Sequence, residues 1–274
     1  MRQSGAALLF GAALPNTALK PEVMPFRRRL GVSFLISIGL VGCSKPAPEQ
    51  QAAASVEPAA VEPPAAPSKP ATPLLFIDEV GPRLGNEAAN LAEPLGRQKL
   101  AEMVAGARGF LSAGDVRLTV DRKAKPEWVS AYLAELGKLG ITQVSLRTQS
   151  RPDYPLEVVF APEAKAASAA PCSVVAMITE DRGTAVWKLS GGAAGKRGKG
   201  MAGPDLSMTA ETIERLWKAC KSSGVLVVSG AKGVEWGLVY DLAASAKLIP
   251  AIRFDIVVVP EKTPVPGHKV ELGS

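Results

Sequence analysis

The sequence predicts an α+β fold made of two tandem small domains, each a two-layer α/β sandwich. Strand-like segments alternate with segments of helical period between residues 74 and 260. A Glu-Trp-x-x-x-Tyr pattern that begins at Glu127 recurs at Glu235, 108 residues later. Hydrophobic residues make up 47% of the 274-residue chain, enough for two modest cores of about 90 residues each. We therefore expect domains at residues 74–162 and 171–260, separated at 161–171.

The first unit begins with the apolar segment 74–80, a predicted strand that is followed by the turn Gly81-Pro82. Apolar residues then recur on one face of a helix, at Leu100, Met103, Val104, Ala107 and Leu111. A strand is predicted at 116–120. The next helix begins near Pro126, a residue suited to the first turn, and ends at Gly140. Further strands are predicted at 144–148 and 156–160.

The second unit repeats this order of elements. Segments 172–180 and 184–189 read as a strand pair, and a helix follows with Ile213, Leu216, Trp217 and Cys220 on one face. A strand at 225–228, a helix at 234–247 and a strand at 252–259 complete it. Insertions confined to the connections, with the elements preserved, are typical of a duplicated unit.

The N-terminal part has the layout of an export signal that begins at Met24, the predicted true start. Three arginines precede the apolar run Leu30 to Val41, and Cys43 follows. This run of about 12 residues would extend roughly 18 Å as a helix, short of the ~30 Å hydrocarbon core. Leu40 to Cys43 resembles the bacterial lipobox, so residues 1–43 are expected to be a lipoprotein signal with lipidation at Cys43. The alternative is a signal-anchor helix that ends in a small apolar Cys.

Residues 44–73 are rich in Pro, Ala, Glu and Ser and have almost no large apolar side chains, a composition typical of a disordered linker. As a polyproline II segment it would reach roughly 90 Å. Ser44 in place of Asp favours the outer membrane over the inner one under the enterobacterial sorting rule, with the body facing the periplasm. Residues 261–274 are expected to be a flexible tail.

The body resembles the periplasmic domain of the ExbD/TolR family of biopolymer transport proteins, over nearly all of 74–150 and 173–259. The matching motifs are Asp121-Arg122, Pro126 to Trp128 and Gly140-Ile141. The resemblance implies a mixed sheet with two helices on one face, and a tendency to dimerise and to dock extended peptides or cell-wall polymer. Two domains in one chain would then form an internal pseudo-dimer.

Family members work with ExbB/TolQ-like partners to couple proton flow to TonB/TolA-like proteins, through an Asp within a transmembrane helix. Leu30 to Val41 contains no ionisable residue, so the group needed to carry a proton through hydrocarbon is missing there. We therefore expect a non-enzymatic membrane-anchored periplasmic interaction module in envelope transport or maintenance. The alternative is an energy-transducing subunit that keeps residues 30–42 as its anchor. Expected partners are TonB/TolA-like or ExbB/TolQ-like proteins or peptidoglycan.

Four residues are candidates for a site or a cross-link. Trp128 and Trp236 stand at matching helix starts, either as platforms that stack on a sugar or peptide or as packing residues. Cys172 and Cys220 either form a disulfide or remain thiols, Cys220 lying on the apolar helix face.

Other chemistries find little support in the sequence. No His/Cys cluster has metal-ligand spacing, no cofactor is expected, and a catalytic triad would need His268, which lies in the tail. Residues 1–43 carry five cations and one acid, +4 of the net +6, so the basicity gives little support to nucleic-acid binding. The Gly-rich loop 190–205 lacks the spacing of a phosphate cradle, although Lys196, Arg197 and Lys199 remain available to an anionic polymer.

Overall fold

The structure, a computed structural model, describes residues 74–111, 115–220, 224–250, 252 and 257–273. These residues belong to one compact unit, within which two mixed β-sheets and their helices are arranged. Cys43, the predicted signal of residues 1–43 and the predicted linker 44–73 lie outside the described residues. Across the described ranges, every helix is too short or too polar to cross a bilayer.

The first sheet has six strands in the order β3-β2-β1-β4-β5-β6. The strands are β1 (Leu75–Ile77), β2 (Pro82–Leu84), β3 (Glu87–Ala88), β4 (Arg117–Val120), β5 (Val144–Arg147) and β6 (Glu157–Phe160). Strands β1, β4 and β5 are parallel, and β2 and β6 flank them in antiparallel pairs. The helices of this half are α1 (Gly96–Gly106), α2 (Arg108–Leu111) and α3 (Pro126–Lys138).

The second sheet has five strands in the order β13-β12-β7-β8-β9. The strands are β7 (Val174–Ile178), β8 (Thr184–Lys188), β9 (Gly195–Arg197), β12 (Leu226–Gly230) and β13 (Val257–Val258). A separate small hairpin pairs β10 (Lys199–Gly200) with β11 (Gly203–Pro204). The helices are α4 (Leu206–Lys218) and α5 (Trp236–Lys247).

The two sheets share one pattern of strand pairing. Each sheet contains three parallel strands, which are β1, β4 and β5 in the first half and β7, β12 and β13 in the second. The first strand of each trio also forms an antiparallel hairpin with the strand that follows it in the chain. The second and third strands of each half, β2 and β3 or β8 and β9, extend the hairpin outward. This confirms the α+β class with mixed sheets. The predicted strand at 156–160 is β6, which has no counterpart in the second half, and β9, β10 and β11 lie within the segment 190–205 that was expected to be a loop.

Helix starts follow local chemistry. In α3, Pro126 occupies the first turn, where its missing N–H costs no hydrogen bond. In α4, the Asp205 side chain accepts a 3.1 Å hydrogen bond from Met208 N. The helix predicted from residue 234 starts instead at Trp236, because Glu235 has an extended backbone with ψ 146°.

The two halves meet edge to edge. Ala161, just after β6, pairs in parallel with Val258 of β13, and its N–H donates to Val257 O over 2.8 Å. The 3-10 turn Glu163–Ala166 follows and packs against α3. The segment predicted to separate two domains therefore carries a hydrogen-bonded junction between their sheets.

Residues 261–273 are not the flexible tail that the composition predicts. Trp187 Nε1 donates to His268 O over 2.8 Å, and Val270 N donates to Leu189 O over 2.9 Å. Val270 is buried. A buried indole needs an acceptor for its N–H, and the C-terminal segment supplies it, which fixes this segment against the second sheet.

Candidate functional site

Both predicted aromatic candidates are packing residues in this fold. The exposed fraction of Trp128 is 5% and that of Trp236 is 0%. The Trp128 ring is covered by Lys125, whose Nζ lies 4.8 Å from the ring centroid. Neither ring presents a face on which a sugar or peptide could stack, and the two do not line one exposed groove.

Trp236 packs against the opposite half of the molecule. Its Nε1 donates to Thr148 Oγ1 over 2.8 Å, and its ring centroid lies 5.7 Å from that of Phe160. One turn later, the Tyr240 hydroxyl donates to the carbonyls of Leu146 and Pro155. Helix α5 is therefore shared by both halves, because its apolar face is buried by residues of the first sheet as well as by β12 and β7.

The equivalent tyrosine of the first half stays within its own half. The Tyr132 hydroxyl donates to Arg83 O over 3.2 Å. Burial raises the pKa of both Tyr132 and Tyr240 well above the ordinary range. The shared Glu-Trp-x-x-x-Tyr pattern thus encodes a buried anchor in both copies, with different neighbours in each.

A partly buried ion pair joins the halves beside these aromatics. Arg122 donates through two nitrogens to the carboxylate of Asp241, whose side chain is 1% exposed, and also to Gln149 O. The hydrogen bond with Asp241 raises the pKa of Arg122. Arg151 Nε lies 3.7 Å from Asp241 Oδ2. In the sequence, Arg122 stands out only as part of the Asp121-Arg122 motif, because its partner lies 119 residues away.

The structure joins Cys172 and Cys220 by a disulfide, with their Cα atoms 5.3 Å apart. The bond links the residues before β7 to the end of α4. The sequence leaves open a disulfide or two free thiols, and the structure has the disulfide. The end of α4 brings Cys220 close to the start of β7.

A cavity of ≈ 560 Å³ lies where the parallel strands β7 and β12 end. Ligand sites of open α/β sheets are commonly found outside the carboxyl ends of parallel strands. Its walls come from three segments: the end of β7 with the turn after it, the residues after β12, and the C-terminal segment. The lining residues are Met177, Thr179, Glu180, Asp181, Ala231, Lys232, Thr263, Pro264, Val265 and Pro266.

The polar rim of the cavity is organised around Asp181. Its carboxylate accepts hydrogen bonds from the Thr179 hydroxyl and from Gly183 N, the latter over 3.1 Å. The Thr179 bond, together with these backbone contacts, lowers the pKa of Asp181, so the group is an anion at neutral pH. Lys232 is exposed on the facing segment. The cavity therefore combines apolar walls with charges of both signs at its rim.

The corresponding position in the first half is closed by helix α5. There, Arg122 O and Ala124 O accept hydrogen bonds of 2.8 Å from Gly237 N and Trp236 N. Gly230 and Lys232 occupy the same places 108 residues later, and that end of the second sheet borders the open cavity. The equivalent strand ends of the two halves therefore differ: the one in the first half is hydrogen-bonded to α5, and the one in the second half borders the cavity.

The cavity joins apolar walls to a few polar side chains at its rim. Within the described ranges, no three His, Cys, Asp or Glu side chains are grouped as metal ligands would be. His268 is exposed, and its backbone carbonyl is the part of the residue that the fold uses. A short apolar segment with polar ends would match the walls and rim.

Searches against protein-family models, curated proteins and solved structures find no match. The cavity at the ends of β7 and β12 is the candidate site of the described residues.

Proposed function

We propose that this chain is a lipid-anchored periplasmic interaction module of ExbD/TolR type, without enzymatic activity, that acts in envelope biopolymer transport or envelope maintenance. The observation that carries the proposal is the order of segments: three arginines, a short apolar run, Cys43, a Pro/Ala-rich stretch and then a packed α+β body. Two or three acyl chains at about 0.8 kcal/mol per buried CH₂ would hold such a body on a membrane.

The disulfide supports an oxidising compartment. Disulfides persist in secreted and periplasmic proteins and are rare where thiols are kept reduced. The bond between Cys172 and Cys220 closes a loop with a sequence separation of 48 residues in the second half. Export of the body across the inner membrane would place this pair where it oxidises.

We assign partner binding to the cavity at the ends of β7 and β12. Pro264 and Pro266 cannot donate a backbone hydrogen bond, so this wall offers apolar surface and carbonyl groups. Val265 is 57% exposed between them and faces the cavity. An extended segment of a TonB/TolA-like or ExbB/TolQ-like protein would bury this surface, with Asp181 and Lys232 at its polar ends; peptidoglycan is the other candidate partner.

Palmitate labelling tests the anchor. Cells expressing the full chain should incorporate labelled palmitate, and the Cys43→Ser variant should not, because the Cys43 thiol is the site at which the diacylglyceryl group is attached. The Cys172→Ser/Cys220→Ser variant serves as a control that should still be labelled. Equal labelling of wild type and Cys43→Ser would refute the lipid anchor.

Crosslinking in the periplasm tests the cavity. Wild type should capture a defined partner, and Val265→Glu should lose it, because a carboxylate is placed on an apolar wall. Val80→Glu is the matched control, since Val80 is a 54% exposed valine outside the cavity. Capture that survives Val265→Glu, or that Val80→Glu abolishes equally, would remove the cavity as the binding site.

The second candidate function is an energy-transducing subunit that keeps residues 30–42 as a membrane anchor. It is favoured by the resemblance of the body to ExbD/TolR domains. Loss of palmitate labelling in Cys43→Ser would exclude it, because cleavage before Cys43 removes residues 30–42. Retention of the uncleaved N-terminus in wild type, seen by mass spectrometry, would support it.

A further inference from the structure

The most exposed part of the second half is a basic hairpin that the proposed function does not use. Residues 196–202, which we call the basic hairpin, are all exposed and read KRGKGMA. They carry Lys196, Arg197 and Lys199 and no acid. Met201, in the two-residue connection between β10 and β11, is fully exposed, at 109% of its reference area.

The hairpin stands at a free edge of the sheet. Strand β9 is the outermost strand, and Lys196 and Arg197 pair with Ala185 and Thr184 of β8 on its inner side only. Lys196 and Arg197 therefore lie along an edge with no strand beyond it among the described residues, and Lys199 lies in the adjoining pair of β10 and β11. Such an edge is open to another surface.

The cations of the hairpin are exposed and can contact an external anion. In the described part of the chain, none of Lys196, Arg197 and Lys199 is in a salt bridge. The neighbouring turn adds Arg182 and two acids, Glu180 and Asp181. Asp181 is exposed; its carboxylate accepts hydrogen bonds from Thr179 and Gly183, and it also attracts Lys199.

An apolar tip among cations matches the surface of a membrane better than a soluble polyanion. Phosphate groups would bind the Lys and Arg side chains, whereas a methionine gains little from a hydrophilic polymer and gains apolar contact at the boundary between headgroups and acyl chains. The Gly residues that flank the tip leave the hairpin narrow, so both kinds of contact can form together.

We propose that the basic hairpin docks on an anionic phospholipid surface, with Lys196, Arg197 and Lys199 on headgroup phosphates and Met201 inserted at the boundary. The inference deepens the proposed function and rests on the Cys43 anchor, which would keep the body within reach of that surface. Each cation would favour the docked state about fivefold, so the three together favour it about 100-fold.

A fluorescent label at the tip tests this docking. The full lipidated chain with Met201→Cys is labelled with an environment-sensitive dye and reconstituted into vesicles of pure phosphatidylcholine or with added phosphatidylglycerol. Dye emission should shift to the blue and rise only with phosphatidylglycerol, and high salt should reverse the change. Adding Lys196→Gln, Arg197→Gln and Lys199→Gln should abolish it. Leu95→Cys, an exposed leucine of the first half, is the control site and should not respond.

The outcomes separate this inference from the anchor. A protein that stays on both kinds of vesicle while the tip dye remains in water overturns the docking and leaves the anchor intact. If the anchor is absent, co-sedimentation with phosphatidylglycerol vesicles that the triple Gln variant loses still supports the docking. Tight binding to dextran sulfate that Met201→Ser leaves unchanged, without any vesicle response, assigns the hairpin to a soluble polyanion and rejects the lipid surface.

Discussion

Arg122 and Asp241, 119 residues apart in the chain, form a two-point ion pair across the junction of the two halves, with N–O distances of 3.2 and 2.8 Å. The ion pair has the same role as the parallel bridge between Ala161 and Val258, because both connect one half of the molecule to the other. Because the Asp241 side chain is 1% exposed, its charge depends on the arginines for compensation.

Removal of Arg122 should leave a buried carboxylate with only Arg151 nearby. We expect Arg122→Ala to lower the free energy of unfolding by about 3 kcal/mol, the lower end for a broken buried pair, because Arg151 still compensates in part. Asp241→Asn should also destabilise, and the double variant should lose less than the sum of the two. Urea unfolding of the four proteins measures the coupling; strictly additive losses would contradict a direct pair.

Thr148 should matter through its hydroxyl alone. Thr148→Val keeps the shape but leaves Trp236 Nε1 without its acceptor in a buried position, at a cost of about 1–3 kcal/mol. Thr148→Ser retains the hydroxyl and is expected to be closer to wild type. Thermal unfolding compares the two variants. Equal stability of the Val and Ser variants would show that this hydrogen bond does not stabilise the junction.

The disulfide should contribute most of its effect through the unfolded chain. In the loop-entropy model, a separation of 48 residues corresponds to about 4 kcal/mol. Cys172→Ser/Cys220→Ser should therefore unfold at clearly lower urea concentration than wild type, with the same native circular dichroism spectrum. Thiol titration of unfolded, unreduced protein purified from the periplasm checks the bond itself, and two reactive thiols from this pair would show that it is absent.

The tyrosines provide a pH test with a defined sign. Burial raises the pKa of Tyr132, Tyr154 and Tyr240, the three tyrosines of the chain, above the ordinary value for a tyrosine. The contribution of the neutral phenols to the free energy of unfolding is therefore fully present below the pKa of a tyrosine in the unfolded chain. It is lost as the pH rises from that value through the raised pKa of the folded state. We expect little phenolate absorbance near pH 10 and a joint rise with unfolding at higher pH. Titration of all three near pH 10 in folded protein would be inconsistent with their burial.

The C-terminal segment should stabilise the second half. Val270→Asp puts a charge at a buried position. It should lower the free energy of unfolding by about 1.5–3 kcal/mol or more, the contribution of a buried valine side chain. Val265→Asp changes an exposed valine five residues earlier and should stay within about 0.5 kcal/mol of wild type. Differential scanning calorimetry distinguishes them, and two equal melting temperatures would mean that the segment does not hold Trp187.

Much of the architecture follows from local patterns in the sequence. Periods of two and 3.6 residues predict the strands and helices, and the recurrence of Glu-Trp-x-x-x-Tyr predicts that the second half repeats the first. The start of α3 at Pro126 is equally local, because a proline ring restricts its own φ angle. The prediction of a flexible tail is wrong for a physical reason: the Pro and Gly residues of this segment suppress periodicity, yet its carbonyl and N–H groups still pair with Trp187 and Leu189.

By itself, then, the sequence determined the class of fold, the order of elements in both halves and the pairing of like helix starts. Only the tertiary structure decided how the two copies differ. Trp236 and Asp241 find their partners in the first half, while the strand ends at Ala231 and Lys232 are left beside a cavity. The repeat predicts which elements each copy forms. Contacts between positions more than 80 residues apart depend instead on how the two sheets join, and no local periodicity predicts how they join.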